Sequence, residues 1–219
     1  MKQLLAPRDA YELWADTYPA HAHNPLMRAE QQIVEPLLSQ LRAVRALDVG
    51  TGSGRYLPVL RATGARMVIG LDFSLAMLTR GSGRRLCADA CHLPLKRGAF
   101  DVINASLMIG DVEDLHAWTR EMARALAPGG HLVYSDFHPS WTQHGWSRTF
   151  RTAAGELHDV AFHARTIDEH LAAVEGAGLR VRAIREPRFN DDRDPEVKAF
   201  RKRWGNPQVV VVFHAVKEP

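Results

Sequence analysis

The stretch Leu47-Asp48-Val49-Gly50-Thr51-Gly52-Ser53-Gly54 constrains this chain more than any other: an apolar run that ends in an acid and three alternating glycines. The run from Val44 to Val49 suits a buried parallel strand, and Arg55 to Arg61 reads as the helix that follows. The glycines lie between the two. Lacking a Cβ, they permit positive φ and let a ligand lie against bare backbone, while the helix start offers free N–H groups. The spacing is G-x-G-x-G rather than the G-x-G-x-x-G of dinucleotide loops, because Arg55 stands where a third glycine would be wanted. Asp48, two residues before the first glycine, would repel a pyrophosphate but can accept hydrogen bonds from an ammonium. A glycine turn with no ligand is the alternative reading.

The segment Asp48, Gly50, Thr51, Gly52 and Gly54 resembles motif I of class I S-adenosylmethionine-dependent methyltransferases, and later segments fall where that family places its other motifs. The implied cofactor, S-adenosylmethionine, carries an amino group and no phosphate. Val68 to Asp72 reads as a second strand ending in an acid 22 residues after Gly50. The resemblance makes Asp72 the acceptor for the ribose hydroxyls, with Phe73 beside it and Met77 on the next helix, Ser74 to Arg80. Asp72 as a cap for that helix is the alternative, although Ser74 is itself a good cap. Asp89, in Cys87-Ala88-Asp89-Ala90, resembles the acid that meets the adenine amino group, with the Ala90 N–H facing the ring nitrogen. Asn104 closes a fourth strand, Ala99 to Ala105, before the loop Ser106 to Gly110. Glu121 to Ser135 resembles the family's helix, Pro-Gly-Gly turn and fifth strand.

At 219 residues and 46% hydrophobic, the chain suits a single domain, 1–219. Residues 1–42 read as a helical N-terminal cap, 43–135 as the cofactor-binding half, and 136–219 as a substrate-side insertion with closing strands. No apolar stretch approaches a membrane span and the N-terminus lacks a signal-peptide core, so a cytoplasmic protein without a membrane partner is expected. The formal net charge of +3 is scattered along the chain, which argues against a nucleic-acid partner. Lys198-x-x-Arg201-Lys202-Arg203 is the exception, read as a solvated helix face or a phosphate site. The two cysteines, Cys87 and Cys91, fall short of a structural metal site, and no metal is expected.

Ahead of the first strand, Ala10 to Tyr18 and Leu26 to Leu41 carry helical apolar spacing broken by Pro19 and Pro25. Tyr11-x-x-Trp14-Ala15-x-x-Tyr18 resembles the family's aromatic N-terminal motif, which implies that Tyr18 lies over the cofactor; core packing of the same rings is the alternative. His21 and His23 read as pocket lining or surface. Past the fifth strand, Trp141 to Phe162 falls where class I folds insert substrate-recognising structure, and Arg148 and Arg151 there read as contacts to an acidic substrate or as surface charges. Thr166 to Gly176 reads as a helix, and Leu179 to Arg185 and Val209 to Val216 as closing strands. The expected fold is α/β: a Rossmann-like, seven-stranded, mostly parallel sheet with helices on both faces and the last strand antiparallel.

The implied reaction is in-line methyl transfer to a small-molecule acceptor, helped chiefly by alignment and exclusion of water. Where a base is needed, His138, just past the fifth strand, is the first candidate, followed by His144 and His163. The resemblance extends to the group that includes quinone-biosynthesis and biotin-synthesis methyltransferases, and to monomers or homodimers. Two other readings remain: a methyltransferase-fold protein turned to binding, scaffolding or non-methylation chemistry, and a nicotinamide-dependent oxidoreductase.

Overall fold

Strands and helices alternate along the chain in the computed structural model, which describes residues 2–191 and 193–219. In chain order the elements are β1 (Gln3–Leu5), α1 (Pro7–Trp14) with a 3₁₀ turn at Ala15–Thr17, α2 (Pro25–Ser39), β2 (Arg45–Val49), α3 (Leu57–Ala62), β3 (Met67–Asp72), α4 (Leu75–Thr79) and β4 (Arg84–Cys87). They continue with β5 (Phe100–Ser106), a 3₁₀ turn at Ile109–Asp111, α5 (Leu115–Ala125), β6 (Leu126–Phe137), α6 (Ser140–His144), β7 (Arg148–Arg151) and β8 (Leu157–Val160). The last are α7 (Ile167–Gly176), β9 (Leu179–Arg185), α8 (Pro195–Trp204) and β10 (Val210–Lys217).

The main sheet has seven strands in the order β4-β3-β2-β5-β6-β10-β9. The final strand, β10, inserts between β6 and β9 and runs antiparallel to both, with Val212 opposite Ser135 on one side and Arg185 on the other. The pairings among β4, β3, β2, β5 and β6 are parallel. Its inner strands, β10 among them, are buried on both faces, which explains the unbroken apolar run Val209 to Phe213. One face packs on α5 and α7 through Trp118, Met122 and Val174. The other packs on α2, α3 and α8 through Val34, Leu38, Leu57, Leu60 and Val197. Among the described residues no helix is long and apolar enough to cross a membrane.

Local chemistry places the helix ends. Asn24 caps α2 by accepting from the Met27 N–H at 2.9 Å, and Pro25, expected to break the helix, occupies its first turn, where no amide donor is needed. Ser74 caps α4 through the Met77 N–H, so Asp72 is not that cap. Thr166 and Glu169 form a capping box at the start of α7. The helix after the glycines starts at Leu57 rather than Arg55, because the turn consumes Arg55 and Tyr56.

A second sheet was not expected. Within the stretch Trp141 to Phe162, β7 and β8 form an antiparallel hairpin, and β8 pairs in parallel with β1, so three strands from opposite ends of the chain, β1-β8-β7, sit together. Short strands paired across more than 150 residues leave no local periodicity to read. Trp14 stacks on Phe150 at 4.9 Å between ring centroids, joining the N-terminal cap to this sheet.

Glu30 on α2, completely buried, connects the cap to the main sheet. Its Oε2 accepts from Tyr56 Oη at 2.5 Å and Arg55 Nη1 at 3.1 Å, and its Oε1 from Ser135 Oγ at 2.9 Å. Ser135 Oγ in turn accepts from the Leu107 N–H at 2.9 Å. Replacing Glu30 by Ala strands three buried donors and should cost about 3–5 kcal/mol of unfolding free energy. Urea denaturation checks this, with Glu30→Gln expected to fall between Ala and wild type.

Candidate functional site

The site forms where β2, β3 and β5 end. After Val49 the chain turns through Gly50, Gly52 and Gly54 at φ of +65°, +54° and +97°. A Cβ on Gly50 would lie 2.7 Å from the Met108 side chain, so glycine is required there by both conformation and space. Arg85 on β4 holds the turn from outside, donating to the carbonyls of Gly52 and Ser53 at 3.1 Å each.

Asp48 is 2% exposed beside this turn. Its Oδ2 accepts from Thr51 Oγ1 at 2.7 Å and its Oδ1 from Asn104 Nδ2 at 2.8 Å. Burial pushes its carboxyl up to about 6, with the Thr51 and Asn104 bonds working the other way. Asn104 is itself fully buried behind Asp48 and acts on the cleft through it. Asp72 closes β3 with Oδ2 on the Gly52 N–H (2.8 Å) and Oδ1 on the Ser74 N–H (2.9 Å). Burial raises its carboxyl too, opposed by those two amides. Each of these four carboxylate oxygens accepts one of these hydrogen bonds and has a second lone pair.

Between these acids runs a narrow cleft, two joined cavities of about 40 and 50 Å³ that share Tyr18, Met27, Gly50, Gly52, Arg55 and Ser106. Asp48 and Thr51 border the first, and Asp72, Phe73 and Met77 the second. Tyr11, Tyr18 and Trp14 of the cap pack as a ring cluster over it, with Tyr11 edge-on to Phe73 at 6.1 Å. Asp89 and Ala90 lie apart, in the loop after β4, and border neither cavity. Asp89 accepts from the Cys91 N–H at 2.8 Å and pairs with His92 at 3.0 Å. Partial burial works to raise its carboxyl, but these partners hold it below its ordinary value.

Tyr18, Met27 and Leu107 also line a second, larger cavity of about 840 Å³. Its walls are aromatic: Trp141, Trp146, Trp204, Phe137 and Phe200. Leu107, at the junction of cleft and cavity, is the one non-glycine with positive φ among the described residues, at +56°. At the same junction Arg148 pairs with Asp111 at 2.7 Å and donates to Tyr11 Oη at 3.1 Å, tying β7, the turn after β5 and α1 together. Arg148 is therefore no surface charge, whereas Arg151 is exposed and bonds the Gly155 carbonyl. The loop Ser106 to Gly110 was expected near the transferred methyl, but Leu107 and Met108 were not singled out within it and Asp111 fell outside it, because a loop after a strand carries no pattern that says which of its side chains turn inward.

The three candidate bases part company. His138 accepts from the Ser140 N–H at Nδ1 (3.1 Å) and donates from Nε2 to Glu186 (2.9 Å), so both ring nitrogens are committed, and it borders a separate cavity of about 10 Å³. His163 is exposed beside that same small cavity. Neither reaches the large cavity, because β6 runs on to Phe137 and turns the chain away before α6. His144 does line it. Its Nδ1 donates to the Ser140 carbonyl at 2.8 Å, which leaves the Nε2 lone pair open.

The mostly parallel sheet, with a glycine turn and two successive strand-end acids at its carboxyl edge, has the class I S-adenosylmethionine-dependent methyltransferase fold. Residues 47–134 match the family model described as methyltransferase domain. The chain is 38% identical over 98 residues to the demethylmenaquinone methyltransferase of Mycolicibacterium gilvum, a match covering 43% of this chain and 42% of that protein. It is 32% identical over 188 residues to the biotin biosynthesis bifunctional protein BioHC of Cellvibrio japonicus, covering 80% of this chain and 37% of that one. The matches thus span less than half the length of these curated relatives. A solved S-adenosylmethionine-dependent methyltransferase from Mesorhizobium loti superposes with a TM-score of 0.70 at 25% identity, covering 86% of this chain and 97% of that one.

The acceptor set suits that cofactor: buried carboxylates with lone pairs to spare face a turn of bare backbone. Its volume is well below the roughly 300 Å³ of a site for a molecule this large. The side chains that narrow it, Tyr18, Met27, Arg55 and Met77, must swing aside for the cofactor to enter.

Asp48 makes stability depend on pH in a defined sense. Its folded value lies above its unfolded one, so its contribution is fully present below about pH 4 and lost as pH rises through about 6. A shift of about two units corresponds to ~3 kcal/mol. Between pH 4 and 8 the stability of Asp48→Asn should therefore gain on wild type by up to about 3 kcal/mol, read from urea midpoints at each pH.

Proposed function

We propose that the protein methylates a small-molecule acceptor in the large aromatic cavity, using S-adenosylmethionine held in the neighbouring cleft. The observation that carries this reading is the adjacency of the two spaces: Tyr18, Met27 and Leu107 border both. When bound, the cofactor supplies an electrophilic sulfonium methyl.

In this reading Asp72 accepts from the ribose hydroxyls with the lone pairs that Gly52 and Ser74 leave free. Asp48, held in place by Thr51 and Asn104, faces the amino group, and Gly50 and Gly52 let the ligand approach the backbone. Phe73 and Met77 flank the adenosine, and Asp89 with the Ala90 N–H meets the adenine edge. Tyr18, Tyr11 and Trp14 cover the cofactor and exclude water, so that alignment of acceptor and methyl supplies most of the acceleration. His144 Nε2 takes the acceptor's ionisable proton, the role first expected of His138.

Calorimetric titration tests the cofactor. Asp72→Ala should weaken S-adenosylmethionine binding about tenfold or more with the circular dichroism spectrum unchanged. Unchanged affinity would remove Asp72 from the site, and no binding to wild type would remove the methyltransferase reading. Formation of S-adenosylhomocysteine in an acceptor screen tests the transfer itself. With an acceptor in hand, His144→Ala should keep cofactor affinity and lower kcat by about 100-fold or more. The rise of kcat/KM with pH that a histidine base produces should vanish with it. Equal turnover would sink the assignment.

A further inference from the structure

Two arginines line the large cavity, and only one has charge to spare. Arg148 is buried against Asp111 at 2.7 Å, so an anion arriving beside it would meet a carboxylate already in place. Lys2, also in the wall, pairs with Asp159 at 3.6 Å. Arg203, in the last turn of α8, has no carboxylate within ion-pair distance among the described residues. Its guanidinium instead lies over the Trp204 ring at 4.7 Å. The acid in the same wall, Glu196, stands seven residues earlier on α8, about 10 Å away along the axis at 1.5 Å per residue.

Trp204 links this cation to the aromatic wall. It packs edge-on to His144 at 5.5 Å and to Trp146 at 5.7 Å, while His144 stacks on Trp146 at 4.5 Å. Stacking on Trp204 restricts the Arg203 side chain and leaves the edge of its planar fork, the part that matches a carboxylate, free to donate. The C-terminal end of α8 favours positive charge in general, and Arg201 and Lys202 serve that purpose equally. It does not account for a cation stacked in a cavity wall.

We propose that Arg203, exposed in the cavity wall, is the docking point for a carboxylate on the methyl acceptor, which makes the acceptor an acid whose apolar body lies against the aromatic side chains of the cavity. This rests on the methyltransferase reading of the adjoining cleft, and the test keeps the two apart. Protein saturated with S-adenosylhomocysteine is titrated by calorimetry with 2-naphthoate and, separately, 2-naphthamide, at low and high salt.

Naphthoate should bind about tenfold tighter than the amide, with the margin shrinking as salt rises. Arg203→Gln should abolish the margin and Arg203→Lys keep part of it, with S-adenosylhomocysteine affinity and thermal midpoint unchanged in both. Equal affinity for the two probes, no binding of naphthoate, or a margin that survives in Arg203→Gln would overturn the proposal. Failure of S-adenosylhomocysteine to bind would overturn the methyltransferase reading instead, and the naphthoate margin, measured on the unloaded protein, would still decide the role of Arg203.

Discussion

The buried carboxylate of Glu30 holds the cap, the glycine turn and the sheet in one arrangement. Its partners come from three places: Arg55 and Tyr56 just past the glycines, Ser135 on β6, and through Ser135 the backbone of Leu107. Leu107 sits in a left-handed conformation that a branched side chain rarely adopts, and the amide bond to Ser135 holds it there. The wall between cleft and cavity is therefore set by a hydrogen-bond chain that starts on α2. A helix that looks like mere covering thus fixes the geometry of both ligand spaces.

Around the cleft three buried acids stand with two arginines: Arg55, whose charge also acts on Asp48, and Arg148. Burial raises the carboxyls of Asp48, Asp72 and Asp111, and Asp111 adds to the effect on Asp72 as a like charge. Only Asp111 has a full cation, Arg148, in direct contact. Such a set is costly without a ligand and favours one with positive charge, which is the electrostatic reason the cleft suits a sulfonium with an ammonium group. The large cavity differs: its wall carries a cluster of aromatic rings, with an arginine, Arg203, that has no carboxylate partner among the described residues at one end of it. The two spaces select different chemistry.

How far the chain could be read in advance depended on distance along it. The glycine turn, the strands that carry Asp48 and Asp72, and the apolar final strand are local patterns of apolar runs, acids and glycines, and the structure holds them within a residue or two; the antiparallel direction of that last strand came from the family resemblance. Tyr18 borders the cleft, the place that the resemblance of its aromatic motif implied. The histidines were a different matter. All three candidates follow β6 within thirty residues, and nothing in their spacing says that His138 turns to Glu186 while His144 turns to the cavity.

The sequence by itself determined the first βα unit, the order of the strands' motifs and, through the family that these motifs resemble, the expected sheet and cofactor class, because a βα turn, its glycines and its strand-end acid are neighbours along the chain. Only the tertiary structure decided the three-stranded sheet of β1, β8 and β7, the Glu30 network, the Arg148–Asp111 pair and the choice among histidines. Each joins residues far apart in sequence, and the physical rule that selects them, that buried polar groups must find partners, acts only once the chain has brought them together.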